Sequence, residues 1–479
     1  MRQLLHNTVR GVVGVAFSLC VTGALAYTTA QPTVPEILQE ALKAIHPSDV
    51  YGLLKIAQLQ AKAGDRMAAT ESLSRAVELA EAAIRPDETL GGGVSYLRQE
   101  RLRKVAFLLD VAALQAELGE NVASARTMQK AIQAVLLQSG KKRSYEVSAQ
   151  VSALRDVALA QLSAGEKDAA SVTIRQGIEI AATLQDAISQ QVRLLASVAV
   201  RHAELGNLEL YKVTLIQAVN TANKSDGPER ITALAEIASA EAQTGHVESA
   251  MKTLGSALHT SGRQEEDQSL LFDKVHAQVI VAEGFKEGGD LETAAIVIRQ
   301  AREMGALIKD PSTTSRALSI IALAQARLGD IDGAFQSERG LIEEAYKGLS
   351  FPYIIDAQII HGDLKGALRT ANLIGERDSL RKEFELGRIA CAYARIGDIE
   401  AATTISNQMD YPILRTSALE AIGKAMVNAG NDDEALAWAS RHAHPLEKAF
   451  ILMGIAEGVL GRSKGGPSVC RDCIGQEHR

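Results

Sequence analysis

LSIIALAQARLGDIDGA, residues 318–334, and LGRIACAYARIGDIEAA, residues 386–402, carry the same line of residues. Leu318, Ile321, Ala322, Gly329, Asp330 and Ala334 match Leu386, Ile389, Ala390, Gly397, Asp398 and Ala402 position for position. The line recurs along nearly the whole chain, and a recurring unit decides the fold before any other feature does. The glycine recurs as Gly64, Gly119, Gly165, Gly206, Gly245, Gly289, Gly329, Gly362, Gly397, Gly430 and Gly461, eleven copies. Eight residues before it every copy is apolar, from Ile56 and Val111 to Ile422 and Met453. One residue later all but Ile355 are small, as at Ala57, Ala112, Gly423 and Gly454. Eleven residues before it stand Leu and Phe, as at Leu53, Leu108 and Phe450, with Gln278 the clear exception.

Apolar residues at steps of three and four mark one face of a helix. The small residue beside them lets a second helix approach closely. Glycine ends the helix, because it takes the left-handed backbone of a helix stop at little cost. Asp or Asn next, as at Asp65, Asn207, Asp290, Asp363 and Asn431, suits a short turn and the cap of a following helix. Ala five residues past the glycine packs that second helix on the first: Ala69, Ala170, Ala250, Ala294, Ala334, Ala367, Ala402 and Ala435. Each copy is expected to be a helix–turn–helix hairpin.

The pattern resembles the tetratricopeptide repeat over roughly residues 50–461. The glycines of the C-terminal third lie 31 to 35 apart, against a family period of about 34. Earlier gaps run from 39 to 55, which longer second helices or inserted loops would explain. The family's aromatics are mostly replaced by Ala and Gln, so HEAT-type hairpins are the alternative. The resemblance implies an all-α fold, a right-handed α-solenoid of about eleven hairpins with a concave groove. The last copy has a first helix and no obvious second, and is expected to cap the array. The domain reading is a signal peptide at 1–26, an N-terminal segment at 27–49, the solenoid at 50–461 and a disordered tail at 462–479.

The first 26 residues read as a secretory signal, with Arg2 and Arg10, an apolar stretch from Gly11 to Leu25, and Ala24-Leu25-Ala26 before the cut. Tyr27 would begin an exported chain, periplasmic or secreted, with no later segment to insert in a membrane. An uncleaved anchor is the alternative. The net charge of −7 becomes −9 on cleavage, and lacks the concentrated basic face that nucleic acid requires. Cys391 is expected in the core. Cys470 and Cys473 form a C-x-x-C in the tail, read as a local disulfide, since a zinc site needs two further ligands.

No catalytic motif, cofactor fingerprint or metal cluster is present. The Gly91-Gly92-Gly93 run reads as a linker, and His442 and His444 as non-ligands. Four residues before the glycine stands a row of amides, Gln60, Gln115, Gln161, Gln325 and Gln358. They are read as structural ties to backbone groups at the turns, or else as lining a surface that holds an extended peptide. The resemblance places the residues six and two before each glycine on the groove: Gln58, Lys62, Ser239, Gln243, Glu283, Glu287, Leu323, Arg327, Lys424 and Asn428. The reading is a non-catalytic scaffold for a protein or an extended peptide, without cofactor. A structural part in a cell-envelope assembly, through the ends or the convex face, is the alternative. Binding of a glycan or small molecule ranks below both.

Overall fold

The structure, a computed structural model, describes residues 31–46, 49–82, 94–136, 144–183, 187–259, 268–375 and 378–463. Among them there is no strand. The signal segment, the glycine run at 91–93 and the Cys470–Cys473 pair lie outside the described residues.

The hairpins form as the spacing requires. First helices include Val50–Lys62, Val94–Glu117, Pro311–Arg327, Ser379–Arg395 and Pro412–Asn428. Each is followed by a second helix, here Arg66–Ala82, Asn121–Leu136, Ile331–Arg339, Ile399–Ser406 and Asp432–Arg441. Ten of the eleven anchor glycines, Gly64 to Gly430, have positive φ and end their first helices. Asp65, Asp290, Asp330, Asp363 and Asp398 then cap the second helix, each carboxylate accepting from the backbone N–H three residues on. The eleven apolar residues eight before the glycine are no more than 2% exposed, and the eight alanines five past it are at 0%. Both sets therefore lie fully inside the hairpin, which is tetratricopeptide-like. Longer second helices contribute to the wide early gaps, with 17 residues in Arg66–Ala82 and 15 in Leu291–Gly305 against 8 in Leu364–Ala371 and Ile399–Ser406; a 24-residue first helix, Val94–Glu117, and longer links between hairpins add the rest.

The eleventh copy departs from the sequence reading. Gly461 does not end a helix; it lies inside Pro445–Ser463. No second helix follows among the described residues. One precedes, from the other end of the chain. Val34–Ala44, opened by a Pro at its start and a Thr33–Glu36 capping box, packs along Pro445–Ser463 and then leads into the first repeat. Its Ile37, Leu38 and Ala41, and Ile45 beyond its end, join one buried cluster with Ala449, Leu452, Met453 and Ile455. The array is therefore a closed ring. The segment 27–49, set outside the array by the sequence, supplies the missing helix of the last repeat.

Glycines set the spacing next to the joint. A Cβ on Gly454 would collide with the backbone oxygen of Glu420, and one on Gly423 would lie 2.8 Å from that of Ile451. The last two first helices are thus in backbone contact. Glu420 can then reach across the final helix to Lys55 of the first repeat, at 3.0 Å.

Candidate functional site

The first helices face inward and enclose a central space of about 4440 Å³. Its lining draws on first helices from Val50–Lys62 around to Pro445–Ser463. Nine basic and nine acidic residues face it, so the interior is neutral although the chain carries −7. Much of this charge is paired within the wall. Arg193 donates to Glu236 at 2.7 Å, Arg201 to Glu204 at 2.6 Å, and Arg155 lies 2.9 Å from Asp156. Lys62 and Lys424 share Glu457 at 3.7 and 3.4 Å. Burial pushes the Glu457 carboxyl up, but Lys55, Lys424 and Lys62 together hold it below the usual carboxylate range. His276, stacked on Phe272, is held down by burial and by Arg193 and Arg316, so it stands neutral near pH 7.

Of the ten residues assigned to a binding groove, eight line this space: Gln58, Lys62, Ser239, Gln243, Glu283, Glu287, Lys424 and Asn428. They are not equally available. Lys424 is buried at 7% and committed to Glu457. Gln243 donates to Ser239 at 3.3 Å. Leu323 lies outside the lining, and so does Arg327. Arg327 pairs with Glu283 and lies over the Tyr353 ring at 4.7 Å. Gln58, Glu287 and Asn428 present the more open polar surface. The sequence missed an apolar sector, in which Ile360, Leu380, Ile396 and Ile413 line the same space and are each more than half exposed.

The amide row is not on this surface. Gln60, Gln115, Gln161, Gln325 and Gln358 are all buried, between 3% and 8% exposed. Each Oε1 accepts from a hydroxyl twelve residues later: Ser72, Thr127, Thr173, Ser337 and Thr370, at 2.7 to 2.8 Å. The bond joins the two helices of one hairpin, side chain to side chain. The structural reading therefore holds, but with a hydroxyl partner rather than the backbone groups expected. The sequence carried the signal: all five copies with Gln have Ser or Thr eight residues past the glycine. In the Gly289 repeat Phe285 replaces the amide and Val297 the hydroxyl, both fully buried.

Among the described residues no group of three or more His, Cys, Asp or Glu could hold a metal ion. His442 donates its Nδ1–H to the Trp438 carbonyl, 3.0 Å away, as part of a helix end. Cys391 is buried in the core, as expected. No described helix is long and apolar enough to cross a membrane.

No protein-family model matches the chain, and no curated protein does. Solved structures do resemble it, at low identity. A Rap protein complexed with competence and sporulation factor is 15% identical, over 81% of this chain and 99% of that one, with a TM-score of 0.27. A circular tandem repeat protein is 13% identical, over 89% and 100%, with a TM-score of 0.27. Ton1535 from Thermococcus onnurineus NA1 is 17% identical, over 66% and 99%, with a TM-score of 0.25. At these identities and scores the likenesses add no functional information.

Proposed function

We propose that this chain is an exported, non-catalytic scaffold that holds a segment of another protein inside its ring. The observation that carries the reading is the central space itself. At about 4440 Å³ it exceeds the few hundred to about a thousand Å³ of a small-molecule site. An α-helix of about 10–12 Å diameter, or an extended strand, is the scale of object that fits such a space. The wall is made of side chains on packed helices, so little ordering is required of the scaffold on binding. Its charges are balanced and largely paired with each other. The open groups are the amides Gln58 and Asn428 and the aliphatic sector of Ile360, Leu380, Ile396 and Ile413. A segment of mixed, weakly charged character suits them better than a strongly acidic or basic one. Export and a periplasmic or secreted location rest on the first 26 residues.

A second reading, assembly into a larger envelope structure, has one observation in its favour. The outer helix Leu208–Ala222 exposes Leu210, Val213 and Ile216, each more than 40% accessible. Assembly through the ends of the array has less support, because the two ends are buried against each other.

The test is a crosslinking capture from the native envelope extract. Wild type is compared with one variant bearing Gln58→Ala, Asn428→Ala and Ile396→Ser, and another bearing Val213→Ser and Ile216→Ser. Lys62, Arg327 and Lys424 are left intact because they hold the wall together. A partner lost only with the interior variant supports the ring reading. Loss only with the outer variant moves the site to the convex face, and a bound glycan or metabolite in place of protein overturns the scaffold reading.

A further inference from the structure

Ten of the eleven hairpins are closed by a covalent turn between their two helices. The eleventh is not. Its halves come from opposite ends of the chain and are held by packing and polar contacts alone. The N-terminal helix Val34–Ala44 has eleven residues, too few to be stable alone, so its helicity depends on the face it covers. Ile37, Leu38 and Ala41, with Ile45 just past the helix, make up the buried apolar stripe. Polar contacts also cross the joint. Lys448 donates to Glu40 at 2.9 Å, and Gln31 approaches Asp433 at 3.5 Å. On the inner side Lys55 meets Glu420 and Lys62 meets Glu457.

We infer that Val34–Ala44 is a displaceable clasp, and that the face of Pro445–Ser463 beneath it is a docking site for an amphipathic helix. The partner it fits is defined by the present occupant. It carries large aliphatic residues at two adjacent positions, a small residue three further on, and a carboxylate one residue before that small one. These are Ile37, Leu38, Ala41 and Glu40 of the clasp. The carboxylate meets Lys448, the small residue allows close approach, and the aliphatic pair fills the core that the eleventh repeat cannot complete by itself. While the clasp is seated it holds the advantage of its tether, because a short link keeps its local concentration in the millimolar range. A helix in trans gains the site when the clasp is weakened, and the ring then parts at this joint while the covalently closed hairpins stay intact. This inference does not depend on what the central space holds.

The probe is a fluorescent peptide of residues 31–46, QPTVPEILQEALKAIH, titrated against the whole chain and followed by anisotropy. Wild type should bind it weakly. Leu38→Ala in the chain should raise the peptide's affinity about tenfold or more, since the tethered competitor loses buried apolar contact. Glu40→Lys in the chain, a milder change at a partly exposed position, should act in the same direction. Placing Lys448→Glu alongside it should transfer preference from the native peptide to one bearing Glu40→Lys. Raising salt to about 1 M, where screening acts within about 3 Å, should reduce that charge preference. Equal peptide affinity for wild type and both clasp variants would overturn the inference. So would a peptide preference that ignores the charge at position 448, because the peptide would then be bound elsewhere.

Discussion

The hydroxyl–amide bond inside the hairpins can be tested with one double-mutant cycle at Gln358 and Thr370. Both side chains are buried, at 5% and 2%, and the hydroxyl donates to the amide oxygen at 2.8 Å. Thr370→Val keeps the shape and removes the donor, leaving the amide oxygen unsatisfied in the core. Gln358→Leu removes the acceptor and strands the hydroxyl, although Thr370 can fall back on the Gly366 carbonyl at 3.1 Å. A buried polar group left without its partner costs about 1–3 kcal/mol, whereas replacing both members by apolar groups of like shape is close to neutral. Thr370→Val should therefore cost about 2 kcal/mol and Gln358→Leu about 1 kcal/mol. The double variant should cost less than Thr370→Val alone. The ring already contains the double replacement, at Phe285 and Val297 of the Gly289 repeat. The readout is hydrogen exchange across residues 351–371 together with the urea midpoint, because a repeat array can open locally. A double variant as costly as the sum of the singles would refute the reasoning and make the bond incidental to packing.

Gly454→Val should destabilise the packing of the last two first helices by more than about 2 kcal/mol, since its side chain meets the Glu420 backbone rather than a movable group; urea unfolding of the variant checks this. Glu457 has a folded-state pKa below its ordinary value, so it contributes stability above the unfolded pKa and loses it as pH falls through the folded one. Thermal stability should accordingly drop as pH is lowered below about 4.5, and Glu457→Gln should flatten that part of the profile. N-terminal sequencing of the exported chain should begin at Tyr27; a chain still carrying Met1 would point to an anchor.

The hairpins were legible because each of their determinants is local. A glycine that must take positive φ, an Asp that caps three residues on, and an alanine with no room for more all lie within about twenty residues. The inward surface was legible for the same reason, since one helical register repeats around the ring. Arg327 and Lys424 fell short because whether a charge is available depends on a neighbour one repeat away, Glu283 in one case and Glu457 in the other. The amide row was visible but half read. Its hydroxyl partners stand at a fixed offset, and only the pairing gives the row its meaning. Closure was the hardest to see. Val34–Ala44 has no anchor glycine, and its partner is some four hundred residues distant. Its start was nonetheless marked, by Thr33, Pro35 and Glu36.

A closed ring also constrains how such a chain can change. Eleven units completing one full circle turn through about 33° on average. An open solenoid can gain or lose a unit by duplication and merely become longer or shorter. Here a twelfth unit would leave the two ends misaligned, with the Lys448–Glu40 meeting broken. Growth is then confined to what lies within a unit: the lengths of its helices and the links between hairpins. Both helices of a unit vary in this way, first helices from 24 residues in Val94–Glu117 to 10 in Phe351–Ile360 and second helices from 17 in Arg66–Ala82 to 8 in Ile399–Ser406, while the number of steps around the circle stays fixed.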